Sequence, residues 1–302
     1  MSATTTGANV LLERIRALCA NLSLQPVDES VELESLPGVK AVLFNICGTL
    51  FYGGSDDAAP ESFRRETLVE ALKEAGFAGD LETAAGLGKD WLQTAVKTAC
   101  QERREQGVEA PAVDLRPLWR GVLARLHAEN LLDREAEEAD ALRVAVEYEF
   151  RVNPAAPMPG MLEALAGLAE RGIRLGIIAN TQFHTPMLFQ ALLNKTPQQL
   201  GFDRRLCIYS HDAGEAKTSP WLFEKALAVL RDRWGIHPTE TLCIGSDLKN
   251  DLLPADATGC WSVLFAGDAR LYRKRAGDPH CSHLHPDCII TSLDQIPACI
   301  EG

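Results

Sequence analysis

The run Ala41-Val-Leu-Phe44, followed by Asn45-Ile-Cys47-Gly48-Thr49, limits the fold more than any other stretch of the chain. Consecutive apolar residues without polar alternation fit a strand buried on both faces, the setting of a parallel sheet covered by helices. Asn45 stands where that strand ends. Gly48 and Thr49 suit a tight turn that presents backbone N–H groups, and such turns hold anions. In open α/β sheets ligands bind at the carboxyl ends of strands. The stretch therefore marks a candidate site as well as a fold.

Later apolar runs repeat the pattern. Residues 173–179, 206–210, 241–244, 261–265 and 288–291 read as strands. Helices are expected at 161–171, at 221–234 and after Asn250, with Gly172 stopping the first of them. Strands alternating with helices predict a doubly wound parallel sheet. Residues 61–151 carry helical periodicity only, with helices expected near 63–75, 81–105, 115–132 and 134–150, a small bundle. The charge run Gln101-Glu-Arg-Arg-Glu105 reads as a solvated helix face. Loop signals bracket the bundle: paired Gly and Asp residues at 53–57, and Asn153-Pro-Ala-Ala-Pro-Met-Pro-Gly160. The expected organisation is an N-terminal helix and linker over 1–38, a core from 39–55 and 152–302, and a helical insert over 56–151. Residues 8–22 place Leu11, Leu12, Ile15, Leu18 and Cys19 at helical spacing. That helix reads as an arm packed on the core, with a homodimer or partner helix as the alternative.

Composition narrows the function classes. Of 302 residues, 46% are hydrophobic and 24% charged, as in ordinary globular proteins. The net charge of -12 disfavours nucleic acid and anionic membrane surfaces as partners. It leaves room for a small anion in one locally positive pocket. The 9 cysteines are scattered, odd in number and mostly set in apolar runs, which suits free thiols in a reducing compartment. No apolar run approaches the roughly 18 residues of a membrane span, and no signal peptide is visible at the N-terminus. A cytoplasmic location is expected.

The chain resembles the haloacid dehalogenase (HAD) superfamily, motif by motif. The first family motif is a strand followed by Asp-x-Asp-Gly-Thr. This chain has Asn45-Ile-Cys47-Gly48-Thr49. The second is a Ser or Thr at a strand end, commonly followed by Asn. Here Ala179 aligns with it, followed by Asn180 and Thr181. The third is a Lys ahead of a helix, matched by Ala213-Gly-Glu-Ala-Lys217-Thr-Ser-Pro. The fourth is Gly-Asp-Ser-x-x-Asn-Asp, matched by Gly245-Ser246-Asp247-Leu-Lys-Asn250-Asp251. The resemblance implies a Rossmann-like HAD core with an inserted helical cap that closes over the site and selects substrate. It implies a phosphatase or dehalogenase-like hydrolase, with Asn45, Cys47 and Lys217 at catalytic motif positions. It also implies ligand contacts from Thr49, Ala179, Asn180, Thr181 and Lys217, and Mg²⁺ held by Asp247 and Asp251.

The departures carry their own chemistry. An amide cannot form the acyl-phosphate that a carboxylate forms. Cys47 is a poor proton donor to a leaving group. Ala179 removes a hydroxyl from the phosphoryl site, unless Thr181 or the Asn180 amide substitutes. Ser246 removes a carboxylate, and a hard cation wants carboxylate oxygens, so Mg²⁺ binding is expected to be weak or absent. The sequence thus reads as a catalytically impaired relative that binds a small anionic or phosphorylated ligand or a partner. The alternatives are an active hydrolase with an altered site and a structural protein. Cys47 as a thiolate nucleophile lacks a recognisable base. The segment 280–288, with three His and two Cys, lacks zinc spacing and reads as a loop. Arg270 and the run Arg273-Lys-Arg275 read as a solvated loop.

Overall fold

The structure is a computed structural model and describes residues 3–20, 22–54 and 59–300. Helix α1 (Ala3–Leu18) leads into an extended segment and then strand β1 (Ala41–Phe44). Strand β2 (Phe51–Gly53) opens the insert, whose helices are α2 (Glu61–Glu74), α3 (Leu81–Glu105), α4 (Leu115–Ala128) and α5 (Glu138–Val152). Strand β3 (Ala155–Pro157) closes it. Then follow α6 (Met161–Glu170), β4 (Arg174–Ala179), α7 (Met187–Leu193), β5 (Phe202–Tyr209), α8 (Ser210–Ala213) and α9 (Trp221–Trp234). The chain ends through β6 (Thr241–Gly245), α10 (Leu253–Ala257), β7 (Trp261–Phe265), β8 (Cys288–Ile290) and α11 (Ile296–Cys299).

Six strands form one sheet in the order β5-β4-β1-β6-β7-β8, with every neighbouring pair parallel. The chain winds outward from β1 to β5 on one side and from β6 to β8 on the other. The switch point therefore lies at β1, flanked by β4 and β6, and this is where doubly wound sheets bind ligands. β1 is buried along its whole length, as its unbroken apolar run requires. One apolar cluster joins Val42, Phe44, Ile177 and Ile244 to the α6 and α7 side. A second joins Leu43, Ile178 and Cys243 to α9 on the opposite face.

The insert has its own core, built from Leu68, Leu72, Ala84, Trp119, Leu123 and Val144 among others. Asp80 caps α3 by accepting from the Thr83 N–H, and Asp114 caps α4 by accepting from the Arg116 N–H. α4 stops at Ala128 rather than running to 132, because Asn130 takes a left-handed φ of 57°. α5 begins at Glu138 rather than at 134, because Arg134 turns aside to pair with Asp140 and the Ala75 carbonyl. Residues 55–58 of the loop expected after β1 lie outside the described residues, and the residues just before them form β2. β2 pairs antiparallel with β3 and forms the stem of the insert. Three-residue strands, one holding Pro157, leave no alternation to read.

α1 lies across both parts. Ile15 is fully buried, and Leu11, Leu12 and Leu18 pack against the main core. Arg16 donates to the Ala191 carbonyl of α7 at 2.9 Å. Arg14 forks onto the buried Glu147 of α5 at 2.5 and 3.0 Å. The segment after α1 is pinned as well: Glu32 bridges to Ile289, and Leu36 is buried. Among the described residues, no helix is long and apolar enough to cross a membrane.

Candidate active site at the sheet switch point

The carboxyl ends of β1, β4 and β6 bring Asn45, Asn180, Ser246, Asp247 and Asp251 into one cavity of about 270 Å³ with Lys217, Arg273 and Arg275. Backbone geometry sets the approach distances. Gly48 has φ +84°, and a Cβ there would strike the Ser246 hydroxyl and come within 2.9 Å of Leu271 Cβ. A Cβ at Gly245 would strike the Asp251 side chain. These two glycines let the first and fourth motifs close on each other.

Asp251 is almost fully buried. Its Oδ1 accepts from Lys217 Nζ at 2.5 Å, and its Oδ2 accepts from the Ser246 and Asp247 N–H groups at 2.9 and 3.0 Å and from Asn45 Nδ2 at 3.2 Å. Lys217 is equally committed. Its ammonium has three donors, and Asp251 Oδ1, Asn45 Oδ1 (2.9 Å) and the Ile178 carbonyl (3.1 Å) take them. Asn45 therefore bridges the ion pair, its oxygen to the cation and its amide to the carboxylate and the Cys47 carbonyl.

Several of the other expected site residues have protein partners of their own. Asn180 exchanges two hydrogen bonds with the Lys217 backbone, at 2.7 and 3.2 Å, and so fixes the third motif rather than offering its amide. Thr181 turns away from the cavity: its N–H donates to Ser210 and its hydroxyl faces His211. It does not replace the hydroxyl missing at Ala179, itself fully buried in the strand end. Thr49 is fully buried with an unpartnered hydroxyl and lines none of these cavities. Asp247 accepts from the Lys249 and Asn250 N–H groups, from Asn250 Nδ2, and from Arg275 at 3.0 and 2.5 Å. The lone pairs of both carboxylates thus face nitrogen donors, and the remaining motif positions are neutral. Mg²⁺ does not fit this donor set. Among the described residues, no three His, Cys, Asp or Glu side chains stand together where they could share a metal ion, and this includes the segment 280–288.

Cys47 is exposed to the cleft, but protein packs closely around it. That crowding pushes the thiol up to about 12, with the Glu149 carboxylate adding to the rise. A thiol is the weak form of this nucleophile. Cys47 lines the cavity, whereas Ile46 is fully buried in the main core.

The basic run after β7 is not the solvated loop its composition suggests. Its backbone lies along the fourth motif: the Arg273 N–H donates to the Ser246 carbonyl, and the Leu248 N–H to the Arg273 carbonyl, both at 2.8–2.9 Å. Arg270 forks onto the buried Asp268 and also reaches the Ser23 carbonyl. The available signal was position, since the run follows the carboxyl end of a parallel strand.

A family model for haloacid dehalogenase-like hydrolases matches residues 39–259, more than half of the chain. The chain belongs to that family. One solved structure agrees at the level of fold, and two more are reported beside it. A 2-haloacid dehalogenase from Pseudomonas syringae pv. tomato DC3000 is 18% identical with TM-score 0.51, covering 86% of this chain and 96% of its own. A predicted phosphoglycolate phosphatase from Haemophilus somnus 129PT is 18% identical with TM-score 0.45, covering 86% and 97%. L-2-haloacid dehalogenase from Xanthobacter autotrophicus is 19% identical with TM-score 0.46, covering 86% and 97%. No curated protein matches. Within this HAD-like frame, the first-motif residue is an amide tied to the motif lysine.

Proposed function

We propose that this HAD-like protein no longer hydrolyses substrate by the aspartyl route and instead binds a small anionic ligand, without Mg²⁺, at the switch-point cavity. The observation that carries the reading is Asn45 itself, a neutral amide clamped between Lys217 and Asp251. A covalent intermediate of the acyl-phosphate kind needs a carboxylate there. The same clamp removes the need for a metal, because each cavity carboxylate already has a cation: Lys217 on Asp251 and Arg275 on Asp247.

The cavity wall carries three cationic side chains, Lys217, Arg273 and Arg275, against two carboxylates, Asp247 and Asp251. This balance favours a small anion such as phosphate. Lys217 and Arg275 are held on Asp251 and Asp247 and contribute charge, and Arg273 is the lining cation that the test removes. Calorimetric titration of inorganic phosphate in the presence of EDTA tests this. Saturable binding that weakens several-fold in Arg273→Met is expected. Absence of heat, or equal affinity in the variant, contradicts it.

A further inference from the structure

The insert contains a larger cavity that the motif chemistry does not use. It measures about 520 Å³, within the roughly 300–1,000 Å³ of small-molecule sites. Its walls come from α2, α3, α4 and α5, and its floor from Gln182 and His184 of the core. Leu68, Leu92, Val96 and Trp119 make much of the wall apolar. Three cations, Arg64, Lys89 and Lys97, line it against one carboxylate, Glu149. Lys89 is buried and paired with the exposed Glu61.

His184 is the residue that this chamber leaves unexplained. It is 3% exposed, packed edge-on between Phe150 and Phe183. Its Nδ1 is sealed and has no partner. Burial drives its pKa down to about 3, so the ring is neutral. The ring still forms part of the chamber's lining.

Glu149 also lines the narrow cavity of about 200 Å³ that leads to Cys47. A carboxylate at that junction repels an anion on its way to the motif site. The chamber is therefore a site of its own, and its reading does not rest on the anion proposed above.

We infer that the cap chamber binds a small amphipathic carboxylate. Its apolar body lies against Leu68, Leu92, Val96 and Trp119, and its anionic end meets the cationic wall of α2 and α3, Arg64, Lys89 and Lys97.

Octanoate is a suitable probe, with octanol and octylammonium as neutral and cationic controls, titrated calorimetrically into the full chain. Octanoate should bind saturably and roughly tenfold or more tighter than either control, a difference of about 1.4 kcal/mol. Val96→Trp fills the chamber and should abolish binding. Should that variant fail to melt cooperatively, Lys89→Gln with Lys97→Gln serves instead, since both remove charge without adding bulk. It should weaken octanoate roughly tenfold and leave octanol unchanged. Equal binding of all three probes, no saturable octanoate binding, or unchanged octanoate affinity in a folded Val96→Trp or in the double variant would overturn the inference.

Discussion

The cavity beside Asn45 and the chamber inside the cap are opposites in what their walls leave over. In the first, polar groups are dense and mutually consumed: lysine, amide and carboxylates spend their hydrogen bonds on each other. In the second, the wall is largely apolar, and a buried imidazole has a sealed nitrogen with no partner. A site can keep the outline of catalysis while its groups satisfy one another, and a largely apolar space can carry a cationic wall that no carboxylate balances in number. That difference predicts how each region answers to substitution.

The largest effect belongs to the consumed network. Lys217→Met leaves Asp251 buried without its counter-charge, which costs about 3–5 kcal/mol. Lys97→Ala, on the exposed rim of the chamber, should stay within about 0.5 kcal/mol. Urea unfolding of the two variants, compared at equal slope, gives the contrast. Similar losses for both would erase the distinction between the regions.

Next comes the strap that joins them. Glu147 is fully buried and takes Arg14 of α1 and Arg151 of its own helix. Both arginines are partly exposed and can rehydrate, so Glu147→Ala should cost about 2 kcal/mol rather than the full buried-pair penalty. Thermal melting checks it, and an unchanged midpoint would deny α1 its role in holding cap to core.

A further effect is spread over pH and is small within any one unit. His184 has a pKa of about 3 in the folded chain, against about 6.5 when unfolded. The unfolded chain takes up this proton first. Stability is therefore lost as pH falls from about 6.5 toward 3, by at most about 1.4 kcal/mol per unit. His184→Phe should remove that share of the acid-side slope. Parallel slopes for variant and parent between pH 7 and 5 would mean that the ring is not buried neutral.

The sheet was legible because β1 and its parallel partners are unbroken apolar runs, and the insert because its helices keep a 3.6-residue period. Lys217 and Asp251 were legible from motif spacing. Other residues were harder to read, because their contacts are set by tertiary partners. Asn180 and Thr181 look like ligand groups in sequence, yet one braces Lys217 and the other faces Ser210 and His211. Asp247 reads as a metal ligand until Arg275, far along the chain, folds back onto it. The β2–β3 stem is too short to show a pattern. His184 carries no sequence signal at all, because its interest lies in a partner it does not have.

Turnover is the most direct test of the central claim, that the clamped amide at position 45 has ended aspartyl chemistry. Release of phosphate from p-nitrophenyl phosphate and of chloride from L-2-chloropropionate should be measured with and without Mg²⁺, for the parent chain and for Asn45→Ala. Rates indistinguishable from buffer in both proteins are predicted. Parent turnover that disappears in Asn45→Ala would contradict the account.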